Sequence, residues 1–142
     1  IKAIGNEKKI DKKFTEKHFT YVQDQTAYDV VHDGMQKCFE PGGTAYASRI
    51  PGVTACGKTG TAENPHGKSH AVFMCFAPRE KKKIAIACII ENAGFGGTWS
   101  APIVSLMAEK YLTGKVTRLE LEKKMEAVDL IRGKNLITTA FH

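Results

Sequence analysis

The chain has 142 residues and 15.6 kDa, the size of one ordinary domain. Apolar residues make up 42% and charged residues 25%, which excludes collagenous and disordered classes and leaves enough apolar surface for a core. Lys plus Arg number 21 and Asp plus Glu 15, a net charge of +6 that is too modest to name an anionic partner. The longest apolar run, Ile84 to Ile90, falls far short of the roughly 18 residues a membrane helix needs.

Residues 1–23 are lysine-rich and show little apolar periodicity, so they read as an irregular basic approach segment. Only Phe14 and Phe19 interleave with the six lysines of residues 1–19, which suits a solvated face rather than a nucleic-acid arm. From Asp24 to Phe39 the apolar spacing of Ala27, Val30, Val31, Gly34, Met35 and Cys38 predicts a helix with that face buried. Asp24 or Thr26 can cap its start, and Pro41-Gly42-Gly43 ends it. Val53 to Thr61 reads as a strand, and Glu63 to Lys68 as a turn. His70 to Ala77 and Ile84 to Glu91 form a hairpin whose tip carries Arg79 and Lys81 to Lys83. Both of these runs are apolar on both faces, which predicts cover on both sides. Asn92 to Gly97 is a glycine-rich loop.

A second helix starts at Ser100, with Pro102 in its first turn and Gly114 at its end; Ile103, Leu106, Met107 and Tyr111 mark its expected buried face. A third starts at Thr117, where Glu120 completes a capping box, and runs to Gly133 with Leu121, Met125 and Val128 on one face. The order of helix, three strands, helix, helix with short links predicts an α+β layer, a three-stranded antiparallel sheet flanked by helices.

Cys38, Cys56, Cys75 and Cys88 have no C-x-x-C spacing and sit among apolar or small neighbours. They read as buried, inert thiols, with a disulfide between neighbouring strands left open. Cys56 beside Gly57-Lys58 could also be a thiol nucleophile, the less favoured reading. His66 and His70 are four apart, but Pro65 and Gly67 rule out a helix there, and on an extended chain they stand roughly 13 Å apart. No metal pair is expected, and His70 reads as a structural hydrogen-bonder.

Gly52-Val-Thr-Ala-Cys-Gly57-Lys58-Thr59 matches the phosphate-binding pattern G-x-x-x-x-G-K-[ST] at every fixed position. A nucleotide-binding module would need a strand entering the loop and a helix leaving it. Pro51 before it and Gly60, Asn64, Pro65 and Gly67 after it argue against both. One position later the same residues give Lys58-Thr59-Gly60-Thr61, the K-T-G element of serine-acylating penicillin-recognising enzymes. On a strand at a cleft edge, Lys58 supplies fixed positive charge. The hydroxyls of Thr59 and Thr61 share a side and can bind a carboxylate. Gly60 admits a ligand's backbone, and the Thr61 N–H could stabilise an oxyanion. An extended peptide would pair with such a strand.

The surroundings make the motif specific. They include Gly34-Met35, Gly42-Gly43-Thr44-Ala45, Ala55-Cys56-Gly57-Lys58-Thr59-Gly60-Thr61-Ala62-Glu63, His70-Ala71-Val72-Phe73 with Phe76-Ala77-Pro78, Glu91-Asn92-Ala93-Gly94-Phe95-Gly96-Gly97 and Ala101-Pro102-Ile103. From about Tyr28 to Leu112 the chain resembles the class B penicillin-binding proteins, the elongation-type penicillin-binding protein 2 in particular. Cys56 stands where that family usually has a small apolar residue.

The resemblance implies a partial penicillin-binding transpeptidase fold and peptidoglycan D,D-transpeptidation, which uses no cofactor. A serine attacks the D-Ala-D-Ala end of a stem peptide, and β-lactams acylate the same serine. Lys58, Thr59, Gly60 and Thr61 are the expected site residues, with Trp99 as a candidate cleft lining. The family's S-x-x-K and S-x-N motifs do not occur around Ser48, Ser69, Ser100 or Ser105, so the nucleophile is expected upstream. The whole of 1–142 then reads as a C-terminal piece of a transpeptidase domain: approach segment 1–23, core 24–114, and C-terminal helix and tail 115–142. The start at Ile1 reads as a cut, and a membrane anchor and periplasmic placement are expected of the parent. A strand from the missing N-terminal part would pair with residues 84–92, so self-association through that edge is expected of the piece alone. A nucleotide-binding module, a polyanion binder and a non-catalytic ligand-binding remnant are the other readings.

Overall fold

The computed structural model describes Glu16, Tyr21, residues 24–131 and residues 134–135. Most of the basic approach segment, Gly133 and the tail from residue 136 lie outside the described residues. Helix α1 spans Gln25–Lys37, and its start is capped as expected, with the Asp24 carboxylate accepting from the Thr26 N–H at 2.8 Å. The chain then turns back tightly. A Cβ on Gly43 would collide with the carbonyl oxygens of Lys37 and Cys38, so only glycine fits there. After a short 3-10 turn at Tyr46–Ser48, Pro51 and Gly52 (φ +70°) make a turn closed by Val53 N–H to Ile50 O. Proline second and positive-φ glycine third are what a type II turn requires. That turn delays the first strand to Cys56, three residues later than the apolar pattern suggests.

Strands β1 (Cys56–Ala62), β2 (His70–Ala77) and β3 (Ile84–Ile90) form an antiparallel meander with β2 in the centre. The register sets Lys58 opposite Met74 and Met74 opposite Ala87. Helix α2 (Ser100–Thr113) lies across β2 and β3, and Gly114 ends it at φ +81°. Helix α3 (Leu119–Glu126) follows, and a two-residue ribbon of β4 (Val128–Asp129) and β5 (Lys134–Asn135) closes the described chain. The α+β class and the sheet order agree with the sequence reading. The third helix ends earlier than expected, and Val128 is in the ribbon.

The core lies between α2 and one face of the sheet. Phe73 is fully buried and takes the ring of Phe39 edge-on at 5.8 Å; Ala101, Val104 and Ala108 close over it. Three expectations about buried faces are corrected. In α2 the small side chains Ala101, Val104, Ser105 and Ala108 face inward with Leu106, whereas Met107 and Tyr111 are exposed. In α1 no residue is buried, and Val30 and Val31 are exposed. The half-buried residues are instead His32, Met35 and Gln36, and the helix meets the sheet where His32 packs on Phe76. It is held in that rotation by Arg79, which donates to Asp33 and Gln36 at 2.6 Å each. In the sheet, burial alternates. Ala85, Ala87 and Ile89 of β3 and Met74 of β2 are exposed, so among the described residues the face opposite α2 is covered chiefly where His32 packs edge-on against Phe76 at 5.1 Å.

A buried polar anchor ties α2 to α3. Glu109 is 2% exposed. It accepts from the backbone N–H and the hydroxyl of Thr117 and pairs with Arg118 Nε at 3.0 Å. Arg118 also donates to the Ser48 carbonyl and the Ser105 hydroxyl. The expected capping box is therefore absent: Thr117 is drawn to Glu109, and Arg118 occupies the cap position with no side-chain bond to the helix's first turn. Burial pushes the Glu109 carboxyl up, but the bonds from Thr117 and Arg118 outweigh it and hold the group below its ordinary 4.5. A lowered folded-state value means that Glu109's contribution is complete above about pH 4.5 and is lost as pH falls through the lowered value. Urea unfolding should show Glu109→Ala less stable by about 3–5 kcal/mol at neutral pH, because Arg118 is left unpaired. Relative to Glu109→Gln, the wild type should lose its advantage on acidification; an advantage that persists in acid would contradict this account.

Candidate functional site

Strand β1 is an edge strand, with β2 on one side and no strand on the other among the described residues. An antiparallel edge leaves alternate N–H and C=O groups pointing outward, ready for an extended ligand. The two-residue period divides Lys58-Thr59-Gly60-Thr61 between the faces. Lys58 and Gly60 lie on the open face with Met74 and Val72. Thr59 and Thr61 lie on the other and line a cavity of about 410 Å³ together with Thr44, Phe95, Gly96, Gly97 and Thr98. The exposed Lys58 ammonium folds back along the edge and donates to the Thr59 carbonyl at 2.6 Å. The Thr59 hydroxyl is hydrogen-bonded to the Thr44 hydroxyl at 2.8 Å, and Cys38 Sγ lies 3.2 Å from Thr44 Oγ1.

The cavity floor is backbone. A Cβ on Gly96 would strike the Val72 carbonyl oxygen and lie 2.6 Å from that of Gly60; one on Gly97 would lie 2.5 Å from the Thr44 carbonyl oxygen. Asn92 (φ +56°) and Gly94 (φ +90°) bend the loop into this position. Asn92 also ties together the loops at this end of the sheet. Its side chain accepts from Asn64 at 2.7 Å, and its N–H donates to His70 Nδ1 at 3.0 Å. His70 is thus a structural hydrogen-bonder, as its position suggested.

The structure brings Thr59 and Thr61 together in one cavity and places Lys58 around the edge from them. Trp99 is not among the cavity-lining residues; it is half-buried at the cap position of α2. The sequence reading gave no role to Thr44 or to Phe95 through Thr98, although both segments contributed to the family resemblance. Cys56 is fully buried with its thiol 3.5 Å from the His32 carbonyl, and burial pushes its pKa up, opposite to what a nucleophilic thiol needs. Burial, with a smaller effect from Cys56, pushes Cys75 up to about 11. All four cysteines are free thiols. The phosphate-loop reading fails on geometry: Gly57-Lys58-Thr59 lie within β1, and no helix follows them. Ser48, Ser100 and Ser105 are buried and offer no nucleophile at the strand edge, and the half-buried Ser69 directly precedes β2. The arrangement is a cationic, hydroxyl-bearing edge suited to binding a carboxylate.

Residues 1–109 match the family model described as the penicillin binding protein transpeptidase domain. The peptidoglycan D,D-transpeptidase PbpA of Mycobacterium tuberculosis is 39% identical over 75 residues, covering 46% of this chain and 15% of that protein. PBP2 of Pseudomonas aeruginosa superposes with a TM-score of 0.60 and 31% identity, over 70% of this chain and 23% of that one. PBP2 of Helicobacter pylori gives 0.53 and 32%, over 63% of this chain and 17% of that one. The chain therefore spans about 15% of the curated relative and less than a quarter of each solved structure.

Gly96→Ala tests the cavity floor. Its added methyl meets two carbonyl oxygens that cannot rotate away, so the variant should lose about 1–3 kcal/mol in denaturant unfolding. Gly94→Ala, strained in φ but with open space around it, should cost less. Equal losses would show that the close approach is not what fixes the loop.

Proposed function

The chain belongs to the penicillin-binding protein transpeptidase family, and on that premise we propose that its parent protein is a class B peptidoglycan D,D-transpeptidase whose carboxylate-binding strand is β1. One observation carries the reading: Lys58-Thr59-Gly60-Thr61 occupy an edge strand, with two hydroxyls in a cavity and an ammonium on the edge. In this proposal the stem peptide lies along β1 by main-chain pairing. Thr59 and Thr61 bind its terminal carboxylate, and Gly60 lets its backbone approach. Lys58 sets a positive charge beside the reacting serine, and the Thr61 N–H stabilises the oxyanion.

The serine comes from outside this sequence, with its S-x-x-K and S-x-N motifs. It attacks the D-Ala-D-Ala carbonyl, expels D-alanine, and the acyl group passes to the amine of a second stem. β-Lactams acylate the same serine. The parent is placed at the periplasmic face of the inner membrane by an anchor elsewhere in its sequence; no helix among the described residues is long and apolar enough to cross a membrane. PBP2 of Helicobacter pylori forms a complex with MreC, and a comparable partner is proposed for the parent.

In the parent, Lys58→Ala should slow acylation by a fluorescent penicillin by about a hundredfold or more. The 142-residue chain alone should give no stoichiometric adduct by intact mass. Unchanged acylation of the variant, or one adduct per isolated chain, would overturn the assignment. The exposed face around Met74 and Ile89, next to an edge of β3 that no strand pairs among the described residues, also supports self-association of the isolated chain. Light scattering at high micromolar concentration should find dimers or larger species, and a strict monomer would refute it.

A further inference from the structure

We propose that Thr44 is a positioning residue that aims the Thr59 proton at the substrate carboxylate. The inference rests on the reading of β1 as the carboxylate-binding strand and concerns a residue outside the K-T-G motif. Thr44 Oγ1 lies 2.8 Å from Thr59 Oγ1 and 3.2 Å from Cys38 Sγ, so three groups with one proton each form a short chain ending in the cavity. A carboxylate is acceptor-only, and its arrival fixes the direction of the whole chain. Thr59 gives its proton to the carboxylate and must accept from Thr44. Thr44, having given its proton to Thr59, must accept from the Cys38 thiol. Cys38 is 8% exposed and a free cysteine, so its S–H can stand at the end of the chain as the terminal donor. Each bond in such a chain strengthens the next.

The backbone holds Thr44 in place for this role. The Ala45 N–H donates to the Cys38 carbonyl at 2.9 Å, and Gly43 lies against the carbonyls of Lys37 and Cys38. From the other side, Gly97 approaches the Thr44 carbonyl so closely that a Cβ there would lie 2.5 Å from it. Without the Thr44 hydroxyl, the Thr59 rotor loses its fixed partner and its proton samples directions that miss the ligand. Thr44 also borders the same cavity, so the effect is local to the carboxylate end of the ligand.

The test uses the full parent protein and two probes, a penicillin with its free carboxylate and the methyl ester of the same penicillin. Thr44→Val should lower the second-order acylation rate for the carboxylate form roughly fivefold to tenfold, less than the worth of a whole hydrogen bond to a charged group because Thr59 keeps its hydroxyl and loses only its fixed direction. The ester rate should change by less than about twofold, since a neutral ester draws little from charge-assisted donation. Thr44→Ser keeps the hydroxyl and should restore the carboxylate preference. In a Thr59→Val background, Thr44→Val should add no further loss. Equal losses on both probes would show that Thr44 is only structural and would overturn the proposal, as would additive losses in the double variant. If Thr44→Val does not fold, Thr44→Ala, which introduces no new bulk, is measured against Thr44→Ser in its place. Loss of carboxylate preference in Thr59→Val but not in Thr44→Val removes only the role of Thr44; no loss in Thr59→Val removes the reading of β1 itself.

Discussion

Backbone lies directly on backbone where the loop after β3 crosses the sheet. Gly96 has no room for a side chain between its own Cα and the carbonyl oxygens of Val72 and Gly60. Several features depend on that contact. The Gly96 carbonyl accepts from the Ala101 N–H at 2.9 Å and the Ser100 hydroxyl at 3.0 Å, so it fixes where α2 begins. A helix started so close to the sheet packs on it chiefly through small residues, which is why Ala101, Val104, Ser105 and Ala108 are buried. The same closeness gives the cavity beside Thr59 and Thr61 a floor of peptide backbone. Raising the loop would shift the helix, its packing and the cavity together.

The strands were legible because their signals are local. Uninterrupted apolar runs bounded by Pro78 and by the Asn92 loop gave β2 and β3 nearly to the residue, and the K-T-G element fell within a strand as its chemistry requires. The helix faces were less legible because burial is decided by what a helix meets. Reading α2 from its largest apolar residues found Leu106, which is buried, and Ile103, which is half-buried, but also chose the exposed Met107 and Tyr111, whereas the loop's closeness selects small residues against the sheet. Reading α1 from periodicity chose Val30 and Val31, yet Arg79, more than forty residues downstream, holds the helix in a different rotation through Asp33 and Gln36. Thr117 and Glu120 have capping-box spacing, yet a buried carboxylate eight residues back competes for Thr117 and wins. In the site, Lys58 through Thr61 were readable as a motif. Thr44, fifteen residues before Thr59, was not, because only the turn at Gly43 makes the two neighbours.

The division of the motif between two faces constrains what can bind to it. Strand periodicity places the Lys58 charge over the open face with Met74, whereas the Thr59 and Thr61 hydroxyls open into the cavity on the side of α2. No ligand resting on either face alone can reach both. The two sets of donors converge only along the edge of β1, where the Lys58 ammonium already curls back to the Thr59 carbonyl. A partner using all of them must therefore lie along that edge as an extended chain. The open face behind Lys58 is lined by Met74, Ala87 and Ile89. A group brought against that face meets Lys58 in surroundings drier than water, where a single positive charge acts more strongly. The apolar face and the cationic edge thus adjoin, and a group that covered the face would shield Lys58 from water as well.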